Sequence, residues 1–400
     1  MSGRINLLAP EVRANPYAVY AELRRHAPVC QVDPGGYWVI TRHDDVVAAF
    51  KNPQLFSNTG VRLATKPEWL GHNPFADSMV GLDPPQHTRL RNLVNRAFGP
   101  PALARLEGRV RHYAEAIVAR IPEGREVDFV DAFTLPLPAS VIGELIGLEP
   151  SLHSRCKRWA DDLTSISANP QDEKRREEIL AAVRETEAEM AKVLALRRRE
   201  PREDLVTDLL QARVDGQSLS DAELMSFMFL LLVAGLETTI HLLGHCVRVL
   251  MERPDVLARL RADHSLIPRF VEEVLRYEPP VQAFGRLTTA EAVVSGVRIP
   301  AGAPVMLLIG SANHDDARFP DGDRFDMDRE GVNNLPFGHG IHFCLGAPLA
   351  RMEARIGLEL LLSRFERFTP AGPLEWNHSF TVRGPRVLPV IAHGPSSSAR

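Results

Sequence analysis

The sequence predicts a mainly α protein with small β-sheets. Helical periodicity runs through most of the chain, one long apolar segment is entered through a strong helix-start signal, and alternating strand-like runs are short and few. A length of 400 residues allows two or three domains. No Gly/Ser-rich linker, low-complexity tract or internal repeat divides it, so a single domain over 1–400 is expected.

Near the N-terminus, residues 29–41 hold Asp33-Pro34-Gly35-Gly36 followed by Tyr37-Trp38-Val39-Ile40, a turn followed by a strand. They belong to a β-rich part of about residues 28–60, after which helices take over. Residues 171–199 predict a long charged helix whose charge runs are a solvated face. Ser220-Asp221-Ala222-Glu223 is a capping box, with Leu219 and Leu224 at the two staple positions. No proline follows until Pro254, which gives a helix of about 48 Å at 1.5 Å per residue, largely buried because its middle is apolar. A further helix ends near Arg276, and residues 292–299 and 305–309 alternate as strands do. Residues 313–335 are rich in Asp, Arg, Gly and Pro and read as irregular; so long a structureless stretch inside a compact domain implies a purpose.

A formal net charge of −4 and the absence of basic runs with interleaved aromatics give no reason to expect nucleic acid as a partner. Residues 1–10 contain no apolar leader core, and the longest apolar stretch, 227–236, is too short to span a bilayer. A cytoplasmic chain without a membrane partner is expected. Cys30, Cys156, Cys246 and Cys344 show no close pairing and no zinc-type spacing, so four unpaired sulfurs in a reducing compartment are expected.

Cys344 stands apart, in Phe337-Gly338-His339-Gly340-Ile341-His342-Phe343-Cys344-Leu345-Gly346, just before the helical run 347–365. Gly338, Gly340 and Gly346 can take backbone conformations closed to other residues and let a flat ligand approach. Exposed N–H groups and the positive end of the next helix would favour a thiolate, and Pro348 suits an opening helical turn. On these grounds a metal ligand and a small buried packing residue are equally good readings.

The longer pattern, Phe-Gly-x-Gly-x-His-x-Cys-x-Gly, resembles the haem-binding signature of the cytochrome P450 family, in which the cysteine is the axial iron ligand. A second motif, Ala234-Gly235-Leu236-Glu237-Thr238-Thr239, lies midway along the long helix, where a carboxylate and a hydroxyl are costly without a partner or a purpose. It is similar to the family's oxygen-activation run. By that resemblance Thr238 would hydrogen-bond dioxygen and position water, and Glu237 would relay protons. The competing reading is a helix locally loosened by the Thr238 hydroxyl, with a satisfied carboxylate. Glu273-Val274-Leu275-Arg276 resembles the structural Glu-x-x-Arg that anchors the haem loop, although alone such a pair is a common surface feature. Residues 313–315 and 325–329 would form the accompanying meander, with His314 where the family more often has Arg. His87, Arg91, Arg286 and His342 match the residues that hold the haem propionates, and Ala234, Phe337 and Gly346 complete the cofactor-binding set.

The resemblance implies the P450 fold, a triangular prism with haem b between the long helix and the cysteine helix, and Cys344 thiolate on the iron. It implies a monomeric monooxygenase that activates O₂ and hydroxylates or epoxidises an apolar or amphipathic small molecule. Terpenoid, steroid, fatty acyl, aromatic and polyketide skeletons all suit the expected wall: residues 57–80 and 163–166, Leu230, Val233, Val281, Phe284, Thr381 and Val382. Arg62, Lys66 and His72 could meet an acid group. No dinucleotide loop is present, so electrons would come from an external ferredoxin or flavodoxin with its reductase, docking nearest Cys344. A peroxide-driven peroxygenase and a haem-based gas sensor are the alternatives, and neither needs the Glu237–Thr238 pair.

Overall fold

The structure is a computed structural model that describes residues 4–167, 172–331 and 334–395. The chain packs as two compact units. The first comprises Met1–Phe56, Ala114–Thr134 and Thr238–Arg400, and the second comprises Ser57–Tyr113 and Leu135–Glu237.

In the first unit the turn expected at Gly35 and Gly36 has strands on both sides, Val29–Val32 and Tyr37–Ile40, which pair antiparallel. Tyr37–Ile40 pairs in parallel with Pro304–Leu308, which in turn pairs antiparallel with Ala283–Thr288. Ile40, Val305, Leu307 and Ile309 are fully buried in the core beside this sheet. Side chains alternate along a strand. Phe284 and Arg286 therefore share one face, with Gly285 on the other.

The same unit holds the helices Ile267–Tyr277 and Ala347–Arg364 and the irregular stretch between them. Within that stretch Val332 and Asn333 lie outside the described residues. Its conformation depends on Arg276, which is wholly buried and donates to the carbonyls of Asn313 (2.9 Å), Gly322 (2.7 Å) and Arg324 (2.9 Å). Glu273 neutralises that guanidinium through two 2.8 Å bonds and also accepts from the Asp326 amide at 2.8 Å. A buried charge is tolerated when it is paired and its remaining donors are satisfied. His314, buried, faces Asp323 from Nδ1 (2.8 Å) and the Tyr277 carbonyl from Nε2 (2.9 Å) and stacks on Tyr17. It thus ties the stretch to the end of the Glu273 helix without the reach of an arginine.

In the second unit the charged helix runs Glu173–Arg199, with Asp172 capping the Arg175 amide at 2.8 Å. Gln171, where the sequence placed its start, lies outside the described residues. Ile179, Val183, Met190 and Leu194 bury one stripe and the charges face solvent, except Arg197, which is buried and paired with Asp204.

The long helix is Asp221–Glu252. Ser220 and Glu223 close the capping box reciprocally: the Ser220 amide donates to Glu223 (2.8 Å) and the Glu223 amide donates to the Ser220 hydroxyl (3.3 Å). Leu219 and Leu224 are both buried, as a staple requires. This helix is long and apolar enough to cross a membrane, contrary to the judgement based on residues 227–236 alone. Its most apolar 18-residue window, with a mean hydropathy of 1.8, is 67% buried inside the protein, which marks a core helix.

Candidate active site

Cys344 closes the loop that precedes the helix Ala347–Arg364; its amide donates to the Phe337 carbonyl at 3.0 Å, and the residue is half-buried. Two of the three glycines are required by the backbone: Gly338 and Gly340 have φ of 71° and 73°. A Cβ on Gly340 would also lie 2.8 Å from the Phe50 carbonyl oxygen. Gly346 is different, because its φ of −81° is open to any residue. Its contribution is space, since a Cβ there would sit 3.9 Å from the Cys344 sulfur.

Behind the loop, the Phe284 and Arg286 face of the sheet meets Phe50, a residue that no local pattern marked. Phe50 lies edge-on to Phe284 (5.8 Å) and beneath the Arg286 guanidinium (5.1 Å), and Phe284 also borders Gly338. Arg286 is thus a buried cation held over an aromatic face. Phe337 is covered by the Arg351 guanidinium at 4.5 Å, and Arg351 is paired with Glu272. Val281 pairs with Val382 across an isolated bridge, and the Gln282 amide donates to Thr381 at 2.7 Å, so these expected wall residues lie together.

The other cysteines are packing residues. Burial pushes the Cys156 thiol up to about 12 and drives Cys246 higher still, so both stay protonated and inert. The cysteine helix also buries Glu353 completely. Among the described residues its Oε2 has no hydrogen-bond partner, and burial pushes its carboxyl up to about 8. A raised folded-state value makes the stability of this group fully present below the unfolded value of 4.5 and lost as pH rises through 8. Glu353→Gln, which never ionises, is expected to unfold at higher urea than wild type at pH 8, by on the order of 4 kcal/mol, and to lose that advantage at pH 4.5. An advantage of equal size at both pH values would show that no ionisation is involved.

In the second unit, His87 and Arg91 lie one turn apart on the helix Gln86–Ala97. His87 is buried, and burial followed by the Arg91 charge lowers its pKa. Leu230 and Val233 are buried on the long helix, whereas Ala234 is exposed and Gly235, Glu237 and Thr238 are half-buried. The apolar helix therefore opens at the expected notch. It does so without changing type: residues 221–252 remain α-helical throughout, so the local loosening expected from Thr238 does not interrupt it. A Cβ on Gly235 would lie 2.5 Å from Ile142 Cδ1, so glycine there admits a neighbouring side chain. Asp161, missed by sequence reasoning, is raised by burial and also by the negative charge of Glu237. Arg62 and Lys66 both pair with Asp77 (2.9 and 3.1 Å), and His72 faces Glu187 (3.2 Å). Carboxylates already answer the cations that could have met an acid group.

Both sets fit an iron porphyrin by their chemistry: a thiol at a helix entrance with open space beside the sulfur, and buried basic side chains suited to carboxylates. The comparisons agree. A sequence model of the family described as Cytochrome P450 matches residues 168–379. The chain is 42% identical to Cytochrome P450 107B1 of Saccharopolyspora erythraea over 365 residues, covering 88% of each. It is 39% identical to Erythromycin C-12 hydroxylase of the same organism, covering 94% of each. The solved structure of Cytochrome P450 CYP109Q5 from Chondromyces apiculatus superposes with a TM-score of 0.90 at 40% identity, over 99% of this chain and 100% of that one. The fold and the cysteine loop thus define a haem-thiolate monooxygenase. The chain belongs to the cytochrome P450 family.

Cys344 would hold the haem iron as a thiolate, and the group would supply O₂ activation there. Substrate, O₂ and a redox partner are required.

Proposed function

We propose that this P450 hydroxylates or epoxidises a bulky apolar small molecule of the polyketide class, with Glu237 and Thr238 managing protons and Cys344, His87, Arg91, Arg286 and His342 holding the haem. The observation that carries the reading is the notch on the long helix, where a half-buried carboxylate and hydroxyl interrupt an apolar face. Such groups are uncommon in an apolar wall and are kept there by a partner or a purpose. The likeness to Erythromycin C-12 hydroxylase supports a macrolide-like skeleton over the other apolar classes. Leu230, Val233, Val281, Phe284, Thr381 and Val382 would form its wall, and Ala234, Phe337 and Gly346 would complete the haem-binding set.

The chain acts as one catalytic domain, a cytoplasmic monomer. Its electrons come from a ferredoxin or flavodoxin with its reductase, docked beside the cysteine loop. Ile341 and Phe343 are 38% and 43% exposed there, an apolar tip for such a partner. A groove of about 530 Å³ between the Glu273 helix and the cysteine helix is lined by Arg269, Arg329, Arg351 and Arg355 together with Glu272, Glu273 and Asp326, so its charge is mixed and the apolar tip carries the docking proposal.

Glu237 is the proton-delivery residue, so Glu237→Gln is expected to slow O₂- and reductant-dependent turnover by about a hundredfold, the low end of the usual range for losing one acid–base group, and to change the solvent isotope effect. Wild-type turnover with a wild-type isotope effect would remove Glu237 from the mechanism.

A further inference from the structure

Near the C-terminus, the strands Glu375–Trp376 and Pro385–Val387 are joined by residues 377–384, which carry Thr381 and Val382. These strands are too short to hold a loop by their own ladder. The loop is held instead by polar side chains from distant parts of the first unit.

Arg383 is the centre of one set of contacts. Its buried guanidinium stacks 3.6 Å over Trp376, faces Glu278 at 3.6 Å, and donates to the carbonyls of Arg13 and Ala14. Its amide donates to Pro280 at 2.7 Å, next to the Val281–Val382 bridge, and its carbonyl receives His245 Nε2 at 3.0 Å. His245 can serve as that donor in its neutral form, because burial lowers its pKa to about 3. Glu278 is wholly buried; burial alone would raise its pKa, yet the Arg248 and Arg383 charges hold it below the usual carboxylate value. Arg248 (2.7 Å) and the Tyr17 hydroxyl (2.8 Å) complete its partners. The ion pair is therefore a fixed anchor rather than a surface contact.

Asn377 is the second centre. Its amide nitrogen donates to the Val382 carbonyl (3.1 Å) and to His241 Nε2 (3.2 Å), and its carbonyl oxygen accepts from the Gly384 amide (3.3 Å). A Cβ on Gly384 would come within 2.2 Å of the His241 ring, so glycine is what admits the histidine. His241 lies three residues beyond Thr238, on the same side of the long helix. One asparagine thus joins the backbone of the loop tip to the turn that follows Thr238.

We propose that Arg383 and Asn377 are positioning residues for substrate selection: they fix the Thr381–Val382 tip to Val281 and to the His241 turn, and so set which bulky molecules the site accepts without touching them. The inference rests on the proposed reading in which the tip forms part of the substrate wall. Neither residue bears on iron ligation or electron supply, so loosening the tip changes discrimination by size and shape.

The test uses the holoenzyme and two probes that ligate haem iron through nitrogen and shift its Soret band. Imidazole is too small to depend on the tip, whereas econazole is bulky and apolar. In Arg383→Gln and in Asn377→Ala, imidazole affinity is expected to stay within about twofold of wild type while the ratio of econazole Kd to imidazole Kd rises by about tenfold or more, the scale of a lost pocket contact. A smaller change in that ratio, in protein with a wild-type ferrous–CO spectrum, overturns the proposal. Asn377→Ala, which removes no buried charge, keeps the test open should Arg383→Gln not fold. Val382→Trp alters the tip itself; if this variant leaves the ratio unchanged, it is the wall assignment that fails, and the positioning proposal falls with it for a distinguishable reason.

Discussion

Cys344→Ser is expected to abolish the red-shifted Soret band of the ferrous–CO complex and to lower O₂-dependent monooxygenation by about three orders of magnitude, or roughly 4 kcal/mol of barrier. The loop holds residue 344 by its backbone, through the hydrogen bond that its amide donates to the Phe337 carbonyl and the left-handed turns at Gly338 and Gly340. Serine is close in size and keeps those features, so the loop survives and the loss is electronic. A serine hydroxyl stays protonated at working pH and cannot donate as a thiolate does. Cys156→Ser and Cys246→Ser are the matched controls. Both thiols are buried, and burial holds them protonated, so neither change reaches the iron. A wild-type CO spectrum in Cys344→Ser, or its loss in either control, would place the ligand elsewhere.

The readable parts of the chain were those whose signal is local. The capping box at Ser220 and Glu223 predicts the start of the long helix to the residue, and the Cys344 loop carries its chemistry in ten consecutive positions. Tertiary facts were hidden. The strand Ala283–Thr288 has glycine and arginine at its centre, so its alternation is masked, yet the register it adopts is what places Arg286 over Phe50. Taken alone, Glu273 and Arg276 read as an ordinary surface pair, and only the resemblance gave them a structural role, because nothing in a four-residue spacing reveals that both are buried and that Arg276 binds three carbonyls.

The division into two units was equally invisible, for a physical reason. Two of its four boundaries fall inside helices, 113/114 in Pro100–Arg120 and 237/238 in the long helix. A chain that passes between units within a helix needs no flexible linker and leaves no compositional trace. Glu237 and Thr238, adjacent in sequence, are thus assigned to different units. The anchor of residues 377–384 was unreadable for a related cause: Glu278 and Arg383 are far apart in sequence, and each alone resembles a surface charge.

Thr238→Ala is expected to retain substrate binding and reductant consumption while diverting oxygen to hydrogen peroxide, with product per electron pair falling by about tenfold. Productive turnover uses O₂, two electrons and two protons to give one oxygenated product and one water. The uncoupled route spends the same electrons and protons on H₂O₂, so lost product must reappear as peroxide in equal amount. The helix runs unbroken through residue 238, and alanine favours a helix by a few tenths of a kcal/mol over threonine, so the scaffold is unharmed. What the variant loses is a half-buried hydroxyl that can order water and donate a hydrogen bond in the notch beside Glu237. This differs in kind from Glu237→Gln, which slows proton delivery itself and so lowers the rate of turnover. Thr238→Ser restores the hydroxyl without the methyl group and is expected to recover most of the coupling. Unchanged coupling in Thr238→Ala, or a fall in reductant consumption equal to the fall in product, would show that the hydroxyl does not direct protons.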